Sequence, residues 1–177
     1  MQANSIEVDL AWLAGFMDGE GTFILMKVSG RYPQPTIAVN NTHYGTLPEM
    51  TALLDRLNLP YYVGHKNPPT THKGWSPQWT VQAIGLKRCD RWCRALLPYL
   101  KTKREACELM LEYINRRLLK PLKGAWGERI LDAREQQLVN LLNKGRRRPG
   151  SGRPRKDGRP PALGYRPPQP RSKSPTD

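Results

Sequence analysis

The sequence contains few cysteines and no long uncharged apolar segment, and each absence excludes a class of protein. Three cysteines in 177 residues are an odd number and give no framework of paired disulfides. No apolar run approaches the roughly 20 residues that a membrane-spanning helix requires. Glu7 and Asp9 stand near the N-terminus, where a secretory signal peptide is basic. We therefore expect a soluble, intracellular protein, located in a bacterial or phage-infected cytoplasm or in an organelle, that is not secreted.

Acidic residues are scarce relative to basic ones. The chain has 29 Lys plus Arg against 15 Asp plus Glu, a net charge of +14 and a pI near 10.1. Such a surface attracts polyanions, so the composition favours a nucleic-acid partner without identifying it. Acidic membranes would also attract this charge, but without a spanning segment we expect no membrane partner.

The three cysteines leave two interpretations open. Cys89 and Cys93 lie one helical turn apart, and Cys107 falls on the next predicted helix. A zinc site is conceivable, but the usual spacings of paired cysteines, or of cysteine with histidine, are missing. We favour reduced, partly buried thiols.

The chain divides in composition near residue 145. Residues 146–177 contain 10 Lys plus Arg, 2 acids and 8 prolines, with Leu163 and Tyr165 as the only large apolar side chains. Such a segment cannot build a core, so we predict a disordered, Arg/Pro-rich basic tail after a single domain over residues 1–145. The tail would add sequence-independent phosphate contacts, or it has no role, or it is a nuclear address.

Periodicity predicts helices and strands in alternation over the domain. Helices are predicted over 8–20, 46–57, 87–97, 102–118 and 128–143, and strands over 22–29, 36–42, 61–66 and 79–84. This pattern predicts an α+β (mixed) fold, in which helices cover one face of an antiparallel sheet and leave the other face open to a partner.

The first predicted helix combines features that stability alone does not explain. Ala11, Gly15 and Gly19 recur at i, i+4 and i+8 and form a stripe with almost no side chain, which would let two helices approach closely. Glycine inside a helix costs about 1 kcal/mol relative to alanine. Glu20 ends the helix before Gly21, where the negative end of the helix dipole disfavours a carboxylate. Two parallel copies packed through the stripe would bring two Glu20 carboxylates together, which predicts a shared divalent metal site.

These residues resemble a known family. The run LAGFMDGEG at residues 13–21, followed by Thr22 and Phe23, is similar to the nine-residue signature of the LAGLIDADG homing endonucleases. Residues 35–42 are similar to the family's second strand, and residues 97–103 to the turn before its later helix. The resemblance implies an αββαββα core with a saddle-shaped DNA-binding sheet and extra C-terminal helices. Because only one copy of the signature is present, it implies a homodimer, with an interface that we assign to Ala11, Gly15, Asp18 and Gly19. For Asp18 the alternative is a polar residue of the helix end.

The resemblance also implies site residues for hydrolysis of a DNA phosphodiester. Glu20, together with the backbone carbonyl near Gly19, would hold Mg²⁺ or Mn²⁺. Lys103 would lie beside the scissile phosphate, and Asn41 would help to orient the attacking water. The alternatives are an exposed lysine in the first turn of a helix and an amide that caps a turn. Most relatives carry aspartate where this chain has Glu20, and the longer side chain could shift the metal.

The open face of the sheet is where DNA would be read, because alternate side chains of an antiparallel ribbon can reach base edges. Polar side chains predicted on this face suit base edges, and basic residues at strand ends and in loops suit phosphates. The predicted DNA-binding residues are Arg31, Gln34, Thr36, Ala38, Asn40, Lys66, Lys73, Gln78, Thr80 and Gln82. In the first strand the family's register leaves Ile24, Met26 and Val28 on this face, where they could pack on thymine methyl groups but not hydrogen-bond a base.

The residues therefore predict a Mg-dependent homing endonuclease, a hydrolase that cuts double-stranded DNA at a long near-palindromic site. Members of this family are encoded within introns or inteins as mobile genetic elements, and we expect a free-standing or intron-encoded form. The alternative is a non-catalytic nucleic-acid binder of the same fold, either an intron RNA maturase or a transcriptional regulator, with intron RNA as its partner in the first case.

Overall fold

The structure is a computed structural model that describes residues 3–27, 32–67, 76–120 and 130–144 of the chain. Over these ranges the chain forms five helices and four strands. The elements in chain order are α1 (Ala3–Glu20), β1 (Gly21–Met26), β2 (Gln34–Asn41), α2 (Thr46–Arg56), β3 (Tyr62–Lys66), β4 (Gln78–Ile84), α3 (Leu86–Leu96), α4 (Arg104–Leu119) and α5 (Ala133–Asn143). The predicted α+β class is confirmed.

The four strands form one antiparallel sheet in the order β1-β2-β4-β3. Side chains alternate between the two faces of each strand. One face is buried against the helices, and its largest side chain is Trp79, which is fully buried. From α1, Leu13, Ala14 and Met17 pack into the same core. Within the described ranges, most side chains on the opposite face of β2 and β4 are at least partly exposed, so this face is called the open face.

Two helices begin five residues away from their predicted starts, whereas the other three begin within two residues of theirs. α1 begins at Ala3 rather than at residue 8. Residues 5–8 are exposed, so the apolar repeat that predicts the helix begins only at Leu10 and does not mark these first turns. α5 begins at Ala133, whereas the prediction placed its start at residue 128, which lies outside the described residues. A capping box sets this start: the Asp132 carboxylate accepts from the Glu135 N–H at 2.8 Å, and the Glu135 carboxylate accepts from the Asp132 N–H at 3.0 Å.

All three cysteines are free and buried. The Cys89 thiol donates to the carbonyls of Pro35 and Ala83, each at 3.3 Å, and burial raises the pKa of this thiol to about 12. The described ranges contain no group of three or more His, Cys, Asp or Glu side chains suited to a metal ion. The thiols therefore contribute to the core, and the zinc interpretation finds no cluster of ligands there.

Within the described ranges, no helix has the length and apolar character needed to cross a bilayer. The predicted tail, residues 146–177, lies outside the described residues, so the division of the chain at residue 145 stays a prediction. The same holds for the end of the first predicted strand beyond Lys27, because β1 ends at Met26 and residues 28–31 are not described.

Candidate functional site

The chain turns from α1 directly into β1, and Gly21 makes this turn possible. A Cβ atom at Gly21 would lie 2.4 Å from Met17 Cε and 2.5 Å from the Met17 carbonyl oxygen. The backbone oxygen cannot move aside cheaply, so only glycine fits. Glu20 is consequently the last residue of the helix, and its side chain is exposed at the C-terminal end of α1.

Lys103 lies at this same helix end, although it is more than 80 residues away in sequence. Its ammonium Nζ donates to the Met17 carbonyl at 2.8 Å and to the Gly19 carbonyl at 3.3 Å. The last carbonyls of a helix lack partners within the helix and carry partial negative charge, so a cation is stabilised there. Burial lowers the pKa of Lys103, and the nearby charges of Asp18 and Glu20 partly oppose this shift. The structure thus brings together Glu20, Gly19 and Lys103.

Asp18 anchors the segment that carries Lys103. Its carboxylate accepts from the backbone N–H of Lys101 at 2.8 Å and of Lys103 at 2.9 Å, and its carbonyl accepts from the Thr102 hydroxyl at 3.4 Å. Burial alone would raise the pKa of Asp18, but these hydrogen bonds outweigh it and hold the pKa below its usual value. The Asp18 carboxylate is thus bonded within the chain, as a polar residue of the helix end would be, and its assignment to a dimer interface stays a prediction.

The donor atoms at this end of α1 suit a hard divalent cation only in part. The Glu20 carboxylate and the Gly19 carbonyl are oxygen ligands, the kind that Mg²⁺ prefers. One chain offers a single carboxylate here, whereas a second copy brought to the same point would offer a second. The ligand set thus fits magnesium when two chains contribute to it.

Asn41 lies near this site but is bonded within its own turn. Gly21 pairs with Val39, so Asn41 lies two residues beyond that pair, towards the junction of α1 and β1. Its Oδ1 accepts from the backbone N–H of His43 at 2.8 Å. This is the turn-capping amide that the sequence offered as the alternative to a catalytic role.

The outward face of α1 is open along its small residues. Ala11, Gly15 and Gly19 are exposed, and a Cβ atom added at either glycine would meet nothing within 4 Å. Nothing inside the described chain therefore requires glycine at 15 or 19, in contrast to Gly21. Trp12, which is 41% exposed, lies beside this stripe and stacks on Phe16 with ring centroids 5.3 Å apart. Trp12 was not among the predicted interface residues, although it precedes Gly15 and Gly19 by three and seven residues, a helical spacing that is visible in the sequence.

The open face of the sheet carries most of the predicted polar side chains. Asn40 and Lys66 are exposed, and the Thr80 hydroxyl donates to the Asn40 Oδ1 at 2.6 Å. The remaining predicted residues that are partly accessible are Gln34, Ala38, Gln78, Thr80 and Gln82. Arg31 and Lys73 lie outside the described residues.

Two residues predicted on this face are not accessible. Thr36 is only 2% exposed and Ile24 only 5%. The strand register explains the burial of Thr36, because its paired residues in the two neighbouring strands, Ile24 and Ile84, flank it on either side. The assignment of Thr36 as a reader of base edges is therefore corrected. Ile24 lies on this face, as its pairing with Thr36 shows, but it is buried there. Met26 is 38% exposed, and Val28 lies outside the described residues.

Comparison with solved structures identifies the fold. Two crystal structures of the homing endonuclease I-CvuI superpose on the chain. One has a TM-score of 0.51 at 22% sequence identity, covering 63% of this chain and 69% of the other. The second has a TM-score of 0.52 at 19% identity, covering 78% of this chain and 97% of the other. The chain has the LAGLIDADG homing endonuclease fold.

The LAGLIDADG likeness rests on three-dimensional structure. No family model matches the sequence, and no curated protein matches it. I-CvuI was crystallised with a DNA target in 2 mM Ca in one case, and with the I-CreI target in 2 mM Mg with the DNA not cleaved in the other. At these identities the likeness establishes the fold of the chain.

Proposed function

We propose that this protein is a homodimeric, magnesium-dependent DNA endonuclease that cuts both strands at a long, near-palindromic site. One observation carries the proposal: Lys103 and the exposed Glu20 lie at the C-terminal end of the helix whose small-residue face is open. The helix dipole disfavours a carboxylate at that helix end, and the two open glycines lower the helix propensity of the single chain. A second copy packed against the open glycines and a phosphate substrate bound beside Glu20 would account for both features.

The open face of α1 supports self-association through this helix. Gly15 and Gly19 leave space that nothing in the described chain fills, and Trp12 presents an apolar ring beside it. A twofold axis through the stripe uses the same surface on both copies, which is the usual geometry of a homodimer. The two α1 ends, each with Glu20 and Lys103, then lie together at the axis.

The residues at the axis suit hydrolysis of a phosphodiester. Glu20 of each copy and the Gly19 carbonyl would hold Mg²⁺, which would supply a Lewis acid that favours ionisation of water and neutralises charge on the phosphate. The Lys103 ammonium offers a positive charge where negative charge accumulates on the phosphate oxygens, and the Asp18 carboxylate fixes the backbone from which it extends. Asn41 would orient the attacking water if its turn opened.

The open sheet face supports recognition of duplex DNA. An antiparallel ribbon fits the major groove, and amide side chains such as Gln34, Gln78 and Gln82 donate to and accept from base edges. The net charge of +14 supports binding to a polyanion. Two copies related by a twofold axis would read two half-sites, which is why we propose a near-palindromic target.

The experiment is cleavage of a duplex that spans the intron-free junction of the host gene, in magnesium, with Glu20→Gln as the test variant. Glu49→Gln is the matched control, because Glu49 is an exposed carboxylate in the first turn of α2. We expect a discrete double-strand cut by the wild type and the control, and binding without cutting by Glu20→Gln. Equal cutting by Glu20→Gln would contradict the assignment of Glu20.

The second candidate is the non-catalytic binder, an intron RNA maturase or a transcriptional regulator. The substitution of glutamate for the family's usual aspartate at position 20 favours it, since a longer side chain could displace a metal ion. The same experiment distinguishes the two. Specific binding of the wild type to the junction with no cut in magnesium, or tighter binding to structured RNA than to duplex DNA, would favour this second candidate.

A further inference from the structure

A basic surface lies where β4 passes into α3. β4 ends at Ile84, Gly85 turns with a φ of +94°, and α3 begins at Leu86. A groove of about 670 Å³ opens here, and it is bordered by five cationic side chains. They are Lys87, Arg88, Arg91, Arg117 and Lys120. None of them belongs to the site at the end of α1.

Two of these five cations are already neutralised. Lys120 donates to Asp132 at 3.1 Å and to Glu135 at 2.7 Å, and Arg117 lies 3.5 Å from the Glu135 carboxylate. These contacts join α4 to α5, so they belong to the packing of the two helices.

The other three cations are exposed and, within the described ranges, have no carboxylate partner at salt-bridge distance. Arg88 reaches the Ile84 carbonyl at 3.5 Å, and Arg91 donates to the Asn58 carbonyl. Lys87 is exposed in the first turn of α3. On the same helix, by contrast, Arg94 is paired with Asp90 at 2.9 Å. We call Lys87, Arg88 and Arg91 the α3 basic surface.

The α3 basic surface is continuous with the open face of the sheet. The Arg88 guanidinium lies over the Tyr62 ring, 4.9 Å from its centroid. Tyr62 pairs with Gln82 in the register, so both side chains lie on the open face. A smaller cavity there is bordered by Gln34, Tyr62, Gln82 and Arg88 together. Arg88 thus marks the rim at which the open face meets α3.

This rim lies at the end of the sheet away from Glu20. Gly21 follows Glu20 and pairs with Val39, whereas Thr36, further from the α1 end along β2, pairs with Ile84. In a dimer with Glu20 at its axis, each copy would carry an α3 basic surface at its outer end. DNA that lies along the open face passes this surface as it leaves the sheet.

We propose that the α3 basic surface binds the phosphate backbone of duplex DNA that flanks the sequence read by the sheet. The inference rests on the proposed function, because it takes DNA on the open face as its starting point. B-DNA carries one negative charge per roughly 1.7 Å of its axis, so three unneutralised cations beyond the end of a reading surface meet several phosphates. These contacts are independent of base sequence and position the protein on the duplex.

The test compares two triple variants with the same change in net charge. The first is Lys87→Gln, Arg88→Gln and Arg91→Gln. The control is Arg56→Gln, Arg94→Gln and Arg104→Gln, in which every arginine is exposed and paired with a carboxylate. The readouts are the dissociation constant on a long target duplex over a range of salt concentrations, the same constant on duplexes shortened from both ends, and cleavage at saturating protein.

We expect the first triple variant to bind the long duplex about tenfold more weakly. The slope of log K against log salt concentration should become shallower by about 0.9 for each phosphate contact removed. On duplexes shortened to the segment under the sheet, the wild type should bind as weakly as this variant, while the control triple follows the wild type on every duplex. Cleavage at saturation should be unchanged, which shows that the variant is folded.

The outcomes separate this inference from the proposed function. If all three proteins cut and bind with the same salt slope and the same dependence on duplex length, the α3 basic surface does not contact DNA, although the proposed function stands. If the wild type neither binds nor cuts the duplex, the proposed function itself fails.

Discussion

Replacing Gly15 with leucine tests the proposed dimer, because the substitution should stabilise the single chain but destabilise a dimer packed through this helix. A side chain at Gly15 starts into open space, with no atom within 4 Å of its Cβ. In a monomer the substitution should therefore be stabilising, since leucine is better than glycine inside a helix by about 0.8 kcal/mol. For a domain of this size that corresponds to a rise in melting temperature of about 2–3 °C.

In a dimer packed through the small-residue stripe, the same substitution should be destabilising. Each copy would place a leucine where the two helices approach most closely, and overpacking costs about 1–3 kcal/mol at each site. The twofold symmetry doubles this cost, to about 2–6 kcal/mol. Since about 1.4 kcal/mol is a factor of ten in affinity, we expect the dimer dissociation constant to rise by roughly 30-fold or more.

The assay is sedimentation equilibrium together with thermal melting at several protein concentrations. A wild-type dimer should show a melting temperature that rises with concentration, and the variant should lose this dependence while its monomer melts higher. Gly21→Ala is the control, because its Cβ would collide with the Met17 carbonyl inside one chain. It should lower stability at every concentration. A Gly15→Leu protein that dimerises as tightly as the wild type would refute an interface through this stripe.

Two further predictions concern the single chain. Asp18→Asn should lower the free energy of unfolding by about 1 kcal/mol, because it weakens the hydrogen bonds to the backbone of Lys101 and Lys103. These hydrogen bonds lower the pKa of Asp18, so the wild type should lose its advantage over the variant as the pH falls below about 4. Urea unfolding at pH 6 and pH 3 measures both effects, and an equal loss at both values would refute the role of the charge. Tyr113→Phe should cost about 1–2 kcal/mol, since the buried Tyr113 hydroxyl donates to the Pro33 carbonyl at 2.7 Å. Burial raises the pKa of Tyr113, so the stabilisation from its hydroxyl should be present at neutral pH and should fade as the pH rises above about 10. Unfolding of the wild type and the variant at pH 7 and pH 11 measures this, and an equal loss of stability at both values would contradict it.

Much of the fold was predictable from local patterns, since each pattern has a local physical cause. Alternating Trp79, Val81 and Ala83 indicated a strand with one buried face, and all three are fully buried. The spacing of Asp132 and Glu135 is also that of a capping box, which the sequence shows directly. The predicted start of this helix at residue 128 was too early because it followed the apolar repeat instead. Thr36 was misjudged because its burial comes from neighbours on two other strands, which alternation within one strand does not reveal.

The sequence by itself determined the helix-to-strand turn at Gly21, the small stripe of α1 and the position of Glu20 at the helix end, because each depends on residues a few positions apart. Only the tertiary structure decided that Lys103 donates to the Met17 and Gly19 carbonyls and that Asp18 anchors the segment that carries it. It also decided that Arg88 lies over Tyr62 at the far rim of the sheet. These contacts join residues more than 20 positions apart, whose separation is set by packing of the whole core, and no local pattern encodes such distances.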